Sequence, residues 1–436
     1  MTHLFRLVRL PDSARPTRLH EALAGLSRDR SLELLGNLDY ASSAAEIAAN
    51  MRSAYHESIR VLVMSDDAGT SVARLRQRLE EATLADLFAM LPYGDTETPT
   101  GTDTVATRTG ADAATDTNTC RAVAHLTMTL PSSDNTHVGE FNVHVRREFE
   151  GLGLIELLVD LGGKMLRELG RTHLQYWSEH ARWDTVGAAD EFGGPVGAPG
   201  QTSFPHILLS TPIPGTDDRV RPRPDAVSAC LAERGFSPVH SEWLTVLDVD
   251  AALEATARPV EGYELVTFTS PQTPPELREE LARIYALAST DMPSGEMSVE
   301  PEVWDAERVA CKDERARRAG HDWIITAVRP VGGELVGWTH LVLPRSTPRA
   351  AMQEGTLIRA DHGRRGLASW IKRANLAAMK DAFPKVERIM TFNDGDNRAV
   401  IAMNQRLGFA PRLMTVGWEK KIEGAGGGAR RVQDNG

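Results

Sequence analysis

Between Thr356 and Ser369 the chain reads Thr-Leu-Ile-Arg-Ala-Asp-His-Gly-Arg-Arg-Gly-Leu-Ala-Ser, a run with the residue types and spacing of an anion site. Leu357 and Ile358 close an apolar, strand-like stretch, and apolar residues then recur at helical spacing from Leu367 through Ile371, Ala374 and Leu376 to Met379. A turn that opens a helix presents unpaired backbone N–H groups and the positive end of the helix dipole. Gly363 and Gly366 let the backbone approach a phosphate closely, and Arg364 and Arg365 supply cations beside it. The same residues would equally make an ordinary strand-to-helix turn with two solvated arginines. Other chemistries find no support. The sequence has no Gly-x-Ser-x-Gly elbow, no Gly-x-x-x-x-Gly-Lys-Ser/Thr loop and no helical His pair with a third ligand, so no metal is expected. Three widely spaced cysteines, Cys120, Cys230 and Cys311, suit neither a disulfide framework nor a zinc site and fit a reducing cytoplasm.

The elements that would position this turn occur twice. Val123 to Pro131 alternates like a strand and ends in a turn, and so does Val336 to Pro344. Pro131 and Pro344, Val145 and Ile358, and Gly153 and Gly366 are each 213 positions apart. The spacing then contracts to 173 at Gly235-Phe236 and Gly408-Phe409, each of which follows a helical stretch. Two copies of one α/β unit in tandem account for this, with extra residues in the first copy. Each copy reads as helices, a hairpin of alternating strands, strand–turn–helix, strand, helix and closing strands. That order predicts mixed sheets with helices on both faces.

The stretch from Tyr263 to Lys421 resembles the GNAT N-acetyltransferases, whose pyrophosphate loop reads Gln/Arg-x-x-Gly-x-Gly/Ala. Here the pattern falls on Gly363 to Ala368: Gly366 and Ala368 match, Gly363 stands at the first position, and an arginine follows at Arg364. Downstream come the strand Val386 to Phe392, then Asn393 and Asn397, a helix to Leu407 and the closing Gly408-Phe409. The resemblance implies two tandem α/β domains of GNAT type, each a mixed, mostly antiparallel sheet flanked by helices. It implies acetyl-coenzyme A as acyl donor, its pyrophosphate on Gly363, Arg364, Arg365, Gly366, Leu367, Ala368 and Ser369. The pantetheine would pair with the backbone of Leu357, Ile358 and Arg359 where strands four and five splay apart, with Asn393 and Asn397 nearby. Asn397 is equally a helix N-cap, and Gly408 a left-handed helix C-cap.

Acyl transfer from a thioester to an amine needs a neutral amine and a stabilised leaving thiolate. Glu354, four residues before Ile358 and so expected on the same strand face, is the candidate base. The position four before Gly408, where many family members carry a tyrosine acid, is Asn404. An amide is a poor acid but can hydrogen-bond a thiolate or a carbonyl, which leaves the proton to water or another group. Asp291 either holds the acceptor's ammonium group or simply forms a turn before Pro293. In the first copy Glu150 and Ile155 stand at the ends of the loop pattern, Phe141 at the counterpart of Glu354 and Leu231 at that of Asn404. That copy reads as degenerate.

The 436 residues divide as 1–252, with a solvated insertion at about 94–119, then 262–423, then a frayed tail at 424–436. A short strand is expected at Ile207 to Leu209. A net charge of −11 argues against nucleic acid, and no apolar run is long enough for a bilayer. The expectation is a cytoplasmic enzyme, monomeric or homodimeric, acetylating a primary amine of a small molecule by direct attack in a ternary complex. A non-catalytic coenzyme A-binding module, a hydroxyl acceptor and a longer acyl donor are the alternatives.

Overall fold

The structure is a computed structural model and describes residues 3–93, 121–185, 211–212, 219–252, 258–269 and 271–422. The insertion at 94–119, the strand at Ile207 to Leu209 and the tail at 424–436 lie outside the described residues.

The first half runs β1 (Phe5–Arg9), α1 (Arg18–Leu35), α2 (Ala44–Ala49), β2 (His56–Ser65), α3 (Val72–Glu81), α4 (Leu84–Met90), β3 (Arg121–Pro131), β4 (Val138–Val145), α5 (Leu154–Glu168) and β5 (His173–His180). Three short strands, β6 (Trp183–Thr185), β7 (Thr211–Pro212) and β8 (Arg219–Pro222), form a separate small sheet before α6 (Ala226–Glu233), β9 (Ser237–Asp248) and α7 (Val249–Ala252). The second half repeats the order: β10 (Tyr263–Phe268), α8 (Arg278–Asp291), α9 (Ala306–Ala319), β11 (His321–Pro330), β12 (Gly337–Pro344), β13 (Ala350–Ile358), α10 (Leu367–Ala382), β14 (Arg388–Asp394), α11 (Arg398–Leu407) and β15 (Ala410–Lys421).

Local sequence accounts for these elements. The run Val61-Leu62-Val63-Met64 is buried throughout because β2 is paired by β1 and β3 and covered on both faces. In α10, Leu367, Ile371, Leu376 and Met379 of the expected stripe are buried, joined by Trp370, while Ala374 is half-buried and Ala377 exposed. Asp291 is the last residue of helix α8 (Arg278–Asp291), not part of a turn.

All twelve long strands join one sheet, in the order β1-β2-β3-β4-β5-β15-β9-β14-β13-β12-β11-β10. It is mixed and mostly antiparallel; only β4/β5 and β13/β14 are parallel pairs. The closing strands intercalate. Strand β15 pairs with β5 and β9, and β9 pairs with β15 and β14, so each half's last strand sits beside the other half. Packing follows the pairing. Val416 and Trp418 of β15 are buried in the core of the first half with Leu158 and Phe141, and Leu247 of β9 is buried in that of the second with Met379 and Ile389. Across the seam, Glu419 of β15 accepts hydrogen bonds from Gln175 Nε2 (2.9 Å) and from Ser298 N (2.7 Å) and Oγ (2.8 Å).

Candidate functional site

The parallel pairing of β13 with β14 runs only from Ala350↔Arg388 to Gln353↔Thr391 and then stops. Beyond it the strands diverge, and the β14-facing edge of Glu354–Ile358 carries no strand. An edge of this kind has free N–H and C=O groups that an extended amide chain can pair with. It leads to the turn before α10. There Arg359 N–H donates to Val336 O, and its guanidinium pairs with Asp361, which ends the strand. His362 is pinned to β10 by Tyr263, with Oη 2.8 Å from Nδ1. Gly366, at φ +83°, is the N-cap of α10, and no side chain caps the helix, whose first intrahelical bond is Trp370 N–H to Gly366 O. The N–H groups of Leu367, Ala368 and Ser369 therefore remain for a ligand. Arg364 and Arg365 are exposed beside them. Arg364 adopts φ +58°, a left-handed backbone that normally favours glycine. Its counterpart 213 positions earlier, Gly151, has φ +77°, and Gly153 matches Gly366 at +82°. The two turns thus share one backbone path, and the displaced arginine leaves that path intact.

The first half has the same divergence and closes it. Pairing of β4 with β5 stops at Phe141↔Tyr176, and the Tyr176 hydroxyl then accepts from Val143 N–H (3.2 Å) and donates to Val143 O (3.0 Å). Asn142 Nδ2 donates to Trp177 O at 3.1 Å. Among the described residues no side chain does this at Thr356, the counterpart of Val143. Among the described residues, only the divergence in the second half keeps its strand edge open.

Glu354 does not share the face of Ile358. The pairing of β12 with β13 jumps from His340↔Gly355 to Leu341↔Gln353, which leaves Glu354 as the extra residue of a β-bulge. Ile358 packs with Leu367 and Ile371 of α10, whereas Glu354 lines a cavity on the opposite face. The bulge also undoes its match with Phe141, which lies in the α5 core; on the cavity face of β4 stand Glu140, Asn142 and His144. Glu354 Oε2 accepts from Lys312 Nζ at 2.8 Å and lies 3.2 Å from Nδ1 of the fully buried His340. Desolvation opposes ionisation of Glu354, but Lys312 and His340 outweigh it and hold the carboxyl well below its usual range. Burial lowers His340 in turn, against the pull of Glu354, and favours a neutral imidazole. Lys312 and His340 escaped sequence reasoning because only the bulge turns Glu354 towards them.

The cavity has a volume of about 610 Å³, with walls from both halves: α1, α2, β2–β5, β9 and β11–β15. Asp39, Glu46, Glu140, Glu179, Glu242 and Glu354 bring carboxylates to it, against the guanidinium groups of Arg30 and Arg60. Asp291 is exposed at the end of α8 and is not among the lining residues.

Asn404, on α11, is buried and takes part in a polar chain. Lys372 Nζ of α10 donates to Asn404 Oδ1 (2.8 Å), Asn404 Nδ2 to Asn393 Oδ1 (2.6 Å), and Asn393 Nδ2 to Thr245 Oγ1 of β9 (3.1 Å). The chain ties together the two helices that follow β13 and β14. Asn397 caps α11, its Oδ1 accepting from Val400 N–H at 3.2 Å, and Gly408 closes it at φ +101°. Burial lowers the Lys372 ammonium from 10.5 to about 7. Between those values the unfolded chain holds a proton that the folded one has shed, so folding is favoured as pH rises, by at most about 1.4 kcal/mol per unit. The penalty is complete below pH 7. In urea unfolding at pH 7, 8 and 9, wild type should gain stability relative to Lys372→Met at each step. A pH-independent difference would put the ammonium in contact with water.

No protein-family model matches the sequence, and no curated protein is similar to it. Solved structures do match. A tandem GNAT protein from the clavulanic acid biosynthesis pathway, solved without AcCoA, superposes with a TM-score of 0.62 at 17% identity, covering 97% of this chain and 99% of that one. A GCN5-related N-acetyltransferase from Sphaerobacter thermophilus gives a TM-score of 0.53 at 14% identity, with 96% of each chain covered. The fold of this protein is that of the tandem GNAT proteins, and among its described residues no helix is long and apolar enough to cross a membrane.

Proposed function

We propose that this protein transfers an acetyl group from acetyl-coenzyme A to an amine of a small molecule held in the central cavity. The observation that carries the reading is the open edge of β13 beside β14, which runs from the uncapped N-terminus of α10 to Glu354 on the cavity wall. The N–H groups of Leu367, Ala368 and Ser369, with Arg364 and Arg365, suit a pyrophosphate, and the edge from Leu357 to Arg359 suits an amide-bearing pantetheine arm. The neighbours of this fold are named as N-acetyltransferases, which supports the same donor.

In the reaction the neutral amine adds to the thioester carbonyl, its proton leaves to a base, and the thiolate departs with a proton. N–H groups of the open edge are suited to stabilising the tetrahedral oxyanion. Among the described residues no cysteine lines the cavity or the turn, which favours direct attack by the amine. Glu354 accepts the amine's proton, directly or through water, with Lys312 fixing its carboxylate and His340 beside it. Because that carboxylate stays ionised far below neutrality, Glu354→Gln should lower kcat roughly a hundredfold, the usual scale for a lost general base. The acidic limb of the rate profile, set by the acceptor amine, should stay where it is. A variant with the wild-type rate would move the proton to another acceptor.

One observation favours a second reading, a coenzyme A-binding module without catalysis: Asn404 offers no acidic hydroxyl and is already engaged by Lys372. Release of free coenzyme A thiol across a panel of amines separates the two. Amine-dependent release supports transfer. Donor binding with no release for any amine or alcohol leaves the binding module.

A further inference from the structure

The cavity carries two opposite charges for which no described residue supplies an ion-pair partner. Most of its other acids have a basic partner: Glu179 has Arg30 at 3.1 Å, Asp39 has Arg388, and Glu354 has Lys312 at 2.8 Å. Histidines stand by the remaining two, His321 3.6 Å from Glu46 and His240 3.5 Å from Glu242. Glu140 differs. Its carboxylate is open to the cavity and, among the described residues, makes no hydrogen bond or ion pair.

Arg60 is the mirror case. Its Nε is buried and unpartnered, and among the described residues the guanidinium has no ion pair. Burial draws it down to about 10, with Glu46 pulling the other way from beyond ion-pair distance. Arg60 is half-buried, so its guanidinium is partly stripped of water with no carboxylate within ion-pair distance among the described residues, an arrangement that suits an anionic ligand. The polar groups next to it are neutral. Burial, helped by Arg60, lowers His125 to about 3, and burial holds His144 to about 2; each ring has a buried nitrogen without a partner.

These groups share one sheet face. Arg60 pairs across β2/β3 with Thr127, which pairs with Asn142 of β4, and Glu140 lies two residues from Asn142 on the same side. Two strand spacings separate the two charged residues, so their Cα atoms are about 10–12 Å apart. Long side chains at that separation can hold the two ends of one small ligand.

We infer that the first half contributes the acceptor's binding groups, and that the acceptor is an amino-acid-like molecule whose carboxylate is taken by Arg60 and an ammonium group by Glu140. A guanidinium and a carboxylate meet in a two-pronged, charge-assisted pair, which suits Arg60 for this role. The inference rests on the acetyl-transfer reading only for the word acceptor, since the ligand binds without the donor. It also gives the first half, whose own strand edge is closed by Tyr176, a role in the reaction.

The test uses the full chain and ligand pairs that differ only by the carboxylate: lysine against cadaverine, and ornithine against putrescine. Calorimetry without any coenzyme A thioester should show the amino acid of at least one pair binding tenfold or more tighter than its decarboxylated partner. Arg60→Met should erase that difference and Arg60→Lys keep part of it, with coenzyme A affinity unchanged in both. Equal binding within both pairs, or a preference that survives Arg60→Met, overturns the inference. Binding that follows the prediction without any acetylation would sink the transfer reading and leave this one standing. Acetylation of lysine or ornithine by Arg60→Met with the wild-type rate and KM would do the reverse.

Discussion

A chain beginning at Glu261 should not yield a folded monomer, although it contains the turn, the open edge and Glu354. Without the first half, β15 loses both of its sheet neighbours, β5 and β9, and β14 loses β9 along Arg388–Asp394. Leu413, Met414, Val416 and Trp418, all buried, would face water. At about 2 kcal/mol for each large apolar side chain, that is close to the whole stability of an ordinary domain, roughly 5–15 kcal/mol. The long exposed edges also invite self-association. Light scattering after size exclusion should find aggregate or oligomer. Co-expression with residues 1–260 should recover a one-to-one complex with the melting behaviour of the intact chain, since the exchanged strands can pair without a peptide link. A cooperatively melting monomer of the isolated half would mean that β15 can take the place of β9 beside β14.

Gly366→Glu should abolish acetyl-coenzyme A binding while leaving the fold nearly as stable. The position has φ +83° with open space around it, so a side chain meets no neighbour and costs only the left-handed backbone, about 1–2 kcal/mol. The new carboxylate would stand at the N-terminus of α10, where the dipole and the free N–H groups of Leu367 to Ser369 attract it, and it would repel a pyrophosphate. Glu150 already stands in the matching turn of the first half, and Tyr176 closes the edge behind it. Calorimetry should therefore find one site per chain in wild type and none in the variant. Two equal sites in wild type, or retained affinity in Gly366→Glu, would end the asymmetry between the halves.

Much of this architecture was open to reading in the sequence because it is written in local chemistry. A turn that needs a left-handed residue before a helix selects glycine at Gly153 and Gly366, and a helix end selects Asn397 and Gly408; such requirements act over a few residues and repeat at a fixed spacing. The alternation of β3 and the stripe of α10 follow from which face meets a core. The face of Glu354 was beyond that logic. One extra residue in β13 turns its side chain from the helix side to the cavity, and a bulge shows only in the register against β12. The closing strands were likewise opaque. Both β9 and β15 are long apolar stretches that satisfy any sheet edge of matching length, and the choice of the other half's edge depends on which core has room for Trp418 and Leu247. The charges of the cavity come from distant parts of the chain, with Arg60 on β2, Glu140 on β4 and Glu354 on β13. Sequence determined the residue types and the local turns that present them; which charges met a partner, and which were left facing a ligand, was decided only when the two halves closed into one sheet.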